Sequence, residues 1–405
     1  MRASRLLADI GGTNIRLAWQ AAPGGPLNDV RSQPSDDYPT LQAAVSDYLA
    51  QVAVPEPREA AFGIANPVTG DAVHMTNHHW SFSQRALQES LGLQRLVVMN
   101  DFTALALAIP QLGAEHVRQV GGSEAVKGSA VALIGPGTGL GVSGLVFPQG
   151  ADEAVAIAGE GGHVTLAAET QQEFQVLSLL RERYGHVSAE RAVSGSGLVD
   201  LYHALRTLDR RQGKEVSEAA QVTALALEQH DALALQALDM FCGFLGSVAG
   251  NLALTLGAKG GVYLGGGIVP RLGPWFDQSP FRKRFEAKGR FKDYLASIPC
   301  WVIDPDGAPA LYGAARALDM ADAENRYVSA PAFDYISSLQ QWPSRAIMAL
   351  AALGPQPPAA YERGPAGSFR QCCKMGSTQR QASSCSSLRT NRFRRPAITS
   401  SSRRS

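Results

Sequence analysis

A two-unit α/β fold is predicted by three observations. A strand, a glycine turn and a second strand follow one another at residues 5–19. The same succession returns at 129–147, about 125 residues on, as an internal duplication would leave it. Helical stretches alternate with short apolar runs through the rest of the chain, as in sheets covered by helices.

Each element has a local cause. Residues 5–10 (RLLADI) form an apolar run, Gly11 and Gly12 break it, and 13–19 (TNIRLAW) resume with alternating apolar positions. Further strands are expected at 60–65, which stops at Asn66-Pro67, and at 94–100, which closes on Asn100-Asp101. A helix over 102–109 follows and ends at Pro110. In the second unit, 129–135 and 140–147 are strands around Pro136-Gly137-Thr138-Gly139. Helices are expected at 219–229 and 231–256, the latter with a small-residue face, then strands at 261–264 and 300–303 and a closing helix over 308–320. Beyond residue 354 the Pro, Ser and Arg clusters carry no periodicity, so packing there would not offset the ordering entropy. Either a basic arm or the scrambled product of a reading-frame change accounts for that composition.

Charge is divided unevenly. All 36 acidic residues lie at or before Glu362, giving residues 1–362 a net charge of −9, while the last 43 residues carry +10. An acidic body disfavours nucleic-acid binding, which depends on Lys and Arg neutralising phosphates. A small substrate is expected instead. Cys242 and Cys300 are far apart and Cys372, Cys373 and Cys385 fall in the tail, so neither a disulfide framework nor a CxxC knuckle is visible. The apolar runs at 130–147 and 248–269 contain Gly, Pro136 and Lys259 and read as buried strand and packed helix rather than as membrane spans. Residues 1–9 have too little apolar length for a secretory leader, and a cytoplasmic protein without membrane partners is expected.

The two glycine bends offer backbone N–H groups and the Thr13 and Thr138 hydroxyls to an anion. Each alone also fits a plain hairpin turn; the repetition favours a phosphate cradle. Asp9 beside such a bend calls for a bridging cation, and Mg²⁺ acting through water is the usual one. Gly139-x-Gly141-x-x-Gly144 matches a dinucleotide fingerprint, but apolar strand residues follow it where that fingerprint needs a helix. Asp101 at a strand end fits either a helix cap or a base for an alcohol acceptor. Glu160-Gly161-Gly162-His163 and Glu190 suit the hydroxyls of a sugar, with solvated surface charge as the alternative for Glu190. Gly265-Gly266-Gly267 permits close approach by a planar ring, or a tight helix start. His74 and His78 are four apart but lie outside any helix, and the stretch from Thr76 to Trp80 reads as a structural polar loop with an aromatic anchor, not as a metal site.

Taken together, the residues resemble the bacterial glucokinase family. The motifs are Leu7-Ala8-Asp9-Ile10-Gly11-Gly12-Thr13-Asn14, Met75-Thr76-Asn77-His78, Asn100-Asp101-Phe102, Gly137-Thr138-Gly139-Leu140-Gly141, Glu160-Gly161-Gly162-His163, Glu190-Arg191-x-x-Ser194-Gly195 and Gly265-Gly266-Gly267. The resemblance implies a two-domain actin-like ATPase (ribonuclease H-like) fold with a nucleotide and sugar cleft between the domains. Residues 1–110 plus about 303–321 would form a small α/β domain, 111–302 a large one, and 322–405 a disordered or aberrant tail. It implies ATP-dependent phosphorylation of D-glucose at the 6-hydroxyl, with Asp101 as general base. Asn100, Asp101, Glu160, His163 and Glu190 would bind glucose. Ala8, Asp9, Ile10, Gly11, Gly12, Thr13, Gly137, Thr138, Gly139, Gly265, Gly266 and Gly267 would bind ATP, and Asp9 would hold Mg²⁺ through water. A homodimer is the usual state in that family. The CxCGxxGC zinc knuckle of the related kinase and repressor branch is absent. The rivals are a non-catalytic sugar sensor of the same fold and a kinase for another hexose. The Asn100-Asp101 pair favours the enzyme, since a sensor has no need of a base.

Overall fold

The computed structural model describes residues 4–148, 153–210, 214–328, 361–363 and 369–371. In the first unit of sheet, β1 (Arg5–Ile10) turns through residues 11–13 into β2 (Asn14–Gln20), so that Ile10 faces Ile15 and Asp9 faces Arg16 across the hairpin. β3 (Asn28–Pro34) pairs antiparallel with β2, and β4 (Glu59–Ile64) runs parallel to β1. β5 (Ala72–His74) and β6 (Ser81–Ser83) form a separate ribbon, and β7 (Arg95–Asn100) completes the order β3-β2-β1-β4-β7.

The second sheet comprises β8 (Val117–Gln119), β9 (Val131–Pro136), β10 (Leu140–Val146), β11 (Val155–Ala158), β12 (Val262–Leu264) and β13 (Cys300–Ile303). Its order is β11-β10-β9-β12-β13-β8. Matching β9, β10, β11, β12 and β13 to β1, β2, β3, β4 and β7 reproduces both the order and the strand senses, with β8 as an added antiparallel edge. The duplication therefore reaches well beyond the glycine turns that first suggest it. Sequence reading misses β3 and β11 because each is an edge strand with little buried surface; NDVRSQP in β3 shows no apolar alternation.

The helix Asp101–Ala108 is apolar nearly all round because it is enclosed on every side. Leu105 and Leu107 share a core with Val131 and Leu133 of β9, Ile303 of β13 and Ala310 and Ala317 of the closing helix. That closing helix, Pro309–Val328, extends past the expected boundary at 321. Leu311, Ala314, Ala315 and Leu318 pack against Leu7, Ala18 and Ala61 of the first sheet. Fully buried Arg5 ties the two together, with its guanidinium 3.0 Å from Glu59 and 2.6 Å from Asp319. The long helix Ala232–Leu256 starts on an Asp231 cap and stops at left-handed Gly257. It is long and apolar enough to cross a membrane, yet 78% of the relevant stretch is buried inside the protein. Its Gly246 and Gly250 make room for the Phe281 and Phe285 backbone, which is the use of the small-residue face.

In the unit beginning at Ala332, β14 (Tyr361–Arg363) and β15 (Phe369–Gln371) form an antiparallel pair. The rest of the expected tail after Val328 lies outside the described residues.

Gly313 sits where the closing helix crosses Asp101–Ala108, and a Cβ there would overlap the Ala104 carbonyl. In a free helix Gly→Ala adds about 1 kcal/mol of stability. Here Gly313→Ala should instead destabilise by about 1–3 kcal/mol, as overpacked cores do, read as a lower urea midpoint.

Candidate active site

Asp101 owes its position to a change of element. Asn100 ends β7 in extended conformation, and its Oδ1 accepts from Phe102 N at 2.9 Å and Thr103 N at 3.2 Å. Asn100 is thus the helix cap, with its amide NH₂ left as a donor. Asp101 is the first helical residue, and one of its oxygens accepts from Phe102 N at 2.9 Å. The bland reading of Asp101 as the cap is displaced by its neighbour.

Parallel register places Asp9 of β1 level with Gly63 of β4 and Met99 of β7. Gly63 carries no side chain, and a Cβ on it would stand only 3.4 Å from the Asp101 Cα. The helix start can therefore settle over β4 with Asp101 facing Asp9. Loss of hydration pushes the Asp101 carboxyl up to about 7, the Asp9 charge adds to this, and Glu160 contributes less. The two backbone hydrogen bonds pull the other way. Asp9 is likewise raised by burial, with the Arg16 guanidinium opposing.

Asp9, Arg16, Asp101, the triple glycine and Arg271 line a cavity of about 540 Å³ between the two sheets. Gly266 has φ +75°, and a side chain there would overlap the Pro136 carbonyl, so Gly265 and Gly266 lie close against Gly135 and Pro136 at the end of β9. Gly137 and Gly267 have open space where a Cβ would be. In the β1–β2 turn, Gly11 N donates to Asn14 O at 2.9 Å, and a Cβ on Gly12 would come 2.8 Å from Asn77 O.

Of the expected sugar-binding residues, Glu160, His163 and Glu190 gather around the start of β10, while Asn100 and Asp101 sit where β7 passes into its helix. Glu190 Oε2 accepts from Leu140 N at 2.9 Å and lies against Gly139, so its surface-charge reading fails. Gly162 packs on the Leu140 carbonyl, which brings the Gly161–His163 turn to the same place, with His163 Nε2 4.0 Å from Glu160 Oε2. The Phe102 ring fills the groove left by Gly135 and Gly141, linking that cluster to Asp101.

Placement divides the expected ATP residues. Asp9 and the triple glycine line the cavity, whereas Gly11, Gly12 and Thr13 of the β1–β2 turn and Gly137, Thr138 and Gly139 of the β9–β10 turn are not in its lining. Ala8 and Ile10 are fully enclosed in the core of the first sheet, so they position Asp9 and the turn without touching a ligand in this conformation. Thr138 and Gly139 belong to the β9–β10 turn, where Gly137 N donates to Gly139 O at 2.8 Å and Gly195 N donates to Gly137 O at 2.8 Å. Sequence reading assigns no role to Arg16, Gly63 or Arg271, and takes Phe102 only as part of a motif. Arg16 was within reach, since a turn at 11–13 fixes it opposite Asp9. It also donates to Pro305 O at 3.3 Å, bridging β2 to the connection before the closing helix.

Comparison with known proteins places this geometry. The sequence model of the glucokinase family matches residues 6–321. A glucokinase of Aromatoleum aromaticum is 55% identical over 318 residues, covering 78% of this chain and 95% of that one. One of Chromobacterium violaceum is 52% identical over 314 residues, covering 78% and 89%. The crystal structure of a glucokinase from an Antarctic psychrotroph superposes with a TM-score of 0.70 at 35% identity, covering 79% of this chain and 99% of that one. The fold is that of the actin-like ATPases, and a sequence so matched over residues 6–321, across both sheets, belongs to the glucokinase family.

Proposed function

We propose that this member of the glucokinase family moves the γ-phosphoryl group of ATP to the 6-hydroxyl of glucose with Asp101 as general base. The observation that carries this reading is the desolvated Asp101 carboxyl, raised to about 7, in the lining of a cavity that Asp9 and the triple glycine also line. A base with a pKa near the working pH accepts a proton readily as the acceptor oxygen attacks. The sugar hydroxyl gives its proton to Asp101, its oxygen bonds to the γ-phosphorus, and the bond to the bridging oxygen breaks to release ADP. Little covalent work falls to the protein, so orientation dominates.

The Asn100 amide, Glu160, His163 and Glu190 would orient glucose over Asp101. Backbone N–H groups of the 11–13 and 137–139 turns, with Arg16 and Arg271, would face the phosphates, and the triple glycine would receive the adenine. Asp9 fits a hard cation: it is an oxygen donor at the cavity, raised by burial and facing a second carboxylate. When bound through water to Asp9, Mg²⁺ would neutralise charge on the terminal phosphates. The two sheets would belong to the domains 1–110 plus 303–321 and 111–302, closing on the sugar and excluding water. The homodimer and cytoplasmic setting that the resemblance implies belong to the same proposal.

Incubation with ATP and a panel of hexoses should release ADP with glucose; tight sugar binding without ADP would favour the sensor reading. Asp101→Asn should lower kcat by about 10²–10⁴-fold with glucose binding retained. The acid limb of kcat/KM for glucose should fall as pH drops through about 7, because the proton-accepting form is lost. Stability moves oppositely: a carboxyl raised on folding costs stability progressively as pH rises from its unfolded value of about 4 through its folded value of about 7. Asp101→Asn should therefore stabilise the protein by on the order of 2–4 kcal/mol at pH 8, a gain that vanishes by about pH 4, measured by denaturant titration at both pH values. Ending the chain at Val328 should leave turnover intact, because the matched region closes at 321.

A further inference from the structure

The β5–β6 ribbon holds a cluster that the phosphoryl-transfer chemistry does not use. His78 does not pair with His74, whose Nδ1 lies 2.9 Å from Ser81 Oγ. It meets instead its neighbour His79, ring to ring at 4.2 Å, and Asp36 from the 3₁₀ turn Ser35–Asp37. One ligand atom from each of Asp36, His78 and His79 lies within 4.8 Å of the others.

His78 is what lifts this above a chance grouping. Its side chain is 3% exposed, and neither ring nitrogen has a hydrogen-bond partner. Its Nε2 stands 3.2 Å from Asp36 Oδ1, without hydrogen-bond geometry. A buried imidazole with both nitrogens unmatched is costly unless something completes it. His79 is already oriented as a ligand would be. Its Nε2 lies 3.2 Å from the Pro39 carbonyl, and donation there leaves the lone pair on Nδ1. Trp80 anchors the far side, its ring 4.5 Å from that of His78 and its Nε1 donating to Tyr38 O at 3.0 Å.

We propose that Asp36, His78 and His79 form a binding site for a divalent transition metal of the zinc class, fastening the Ser35–Asp37 turn to the 77–80 loop. Two imidazoles and one carboxylate, with water in the fourth position, suit such an ion. Asp36 and His79 are exposed, so their side chains are free to rotate toward an ion shared with the buried His78. Both fastened segments stand behind the first glycine turn. Ser35 N donates to Thr13 O at 2.9 Å and Ser35 Oγ to Gly11 O at 3.1 Å, while Gly12 packs against Asn77 O. The ion would hold the back wall of that turn still. The binding claim stands apart from the reading of the turn as an ATP cradle.

The test is zinc titration by calorimetry on the full chain in a background with Cys372, Cys373 and Cys385 changed to Ser, so that tail thiols take no metal. One zinc per chain should bind, and thermal unfolding should shift upward with zinc. Asp36→Ala and His79→Ala, both exposed positions, should each weaken zinc at least about 10-fold and abolish the shift, whereas His74→Ala should change neither. No stoichiometric binding, or equal binding by the Asp36→Ala and His79→Ala variants, would overturn the proposal. So would variants that change thermal stability equally with and without zinc, the mark of a histidine–aspartate ion pair alone. All these readouts are independent of turnover, so failure of the kinase reading would leave them untouched.

Discussion

Two carboxylates held close in a poorly hydrated cleft are the constraint around which this protein is built. Asp9 lies on β1 and Asp101 opens the helix that follows β7, with Gly63 of β4 between those two strands level with Asp9 and Met99. Burial and mutual repulsion raise the Asp101 carboxyl far above its ordinary range. That strain is tolerable only because the flanking structure is fixed: the helix after Asp101 is enclosed between both sheets and the closing helix. Arg5, buried against Glu59 and Asp319, joins the first strand to that closing helix. Stability in the core thus underwrites an unfavourable arrangement at the site.

Glycine does two different jobs here. At residues 137 and 267 the missing side chain leaves open space beside the cleft. Gly135 and Gly141 instead give up their volume to the Phe102 ring, and Gly162 gives its volume to the Leu140 backbone. These packed glycines bring the start of β10 and the Gly161–His163 turn up to the helix that Asp101 opens. A motif read simply as a phosphate cradle is therefore also a joint between elements.

Much of the architecture was legible in the sequence because it rested on strong local signals. The repeated strand, turn and strand marked the duplication, and Asn100-Asp101 marked a strand passing into a helix. Edge strand β3 was not legible because its polar NDVRSQP lacks alternation, and β11, VAIA, is only four residues long with none of them buried. Surface charge stayed open as an alternative for Glu190 because its partner, Leu140 N, is far away in sequence. Arg16 was legible only once the hairpin register was known. The grouping of Asp36 with His78 and His79 depends on a turn and a ribbon meeting in space, which no spacing rule reveals.

The account is tested most directly by ¹³C NMR titration of the Asp101 carboxyl in the ligand-free protein, repeated with Asp9→Asn. It predicts a midpoint of about 7 that moves down when the Asp9 charge is removed. A midpoint near 4, unmoved by that substitution, would contradict it.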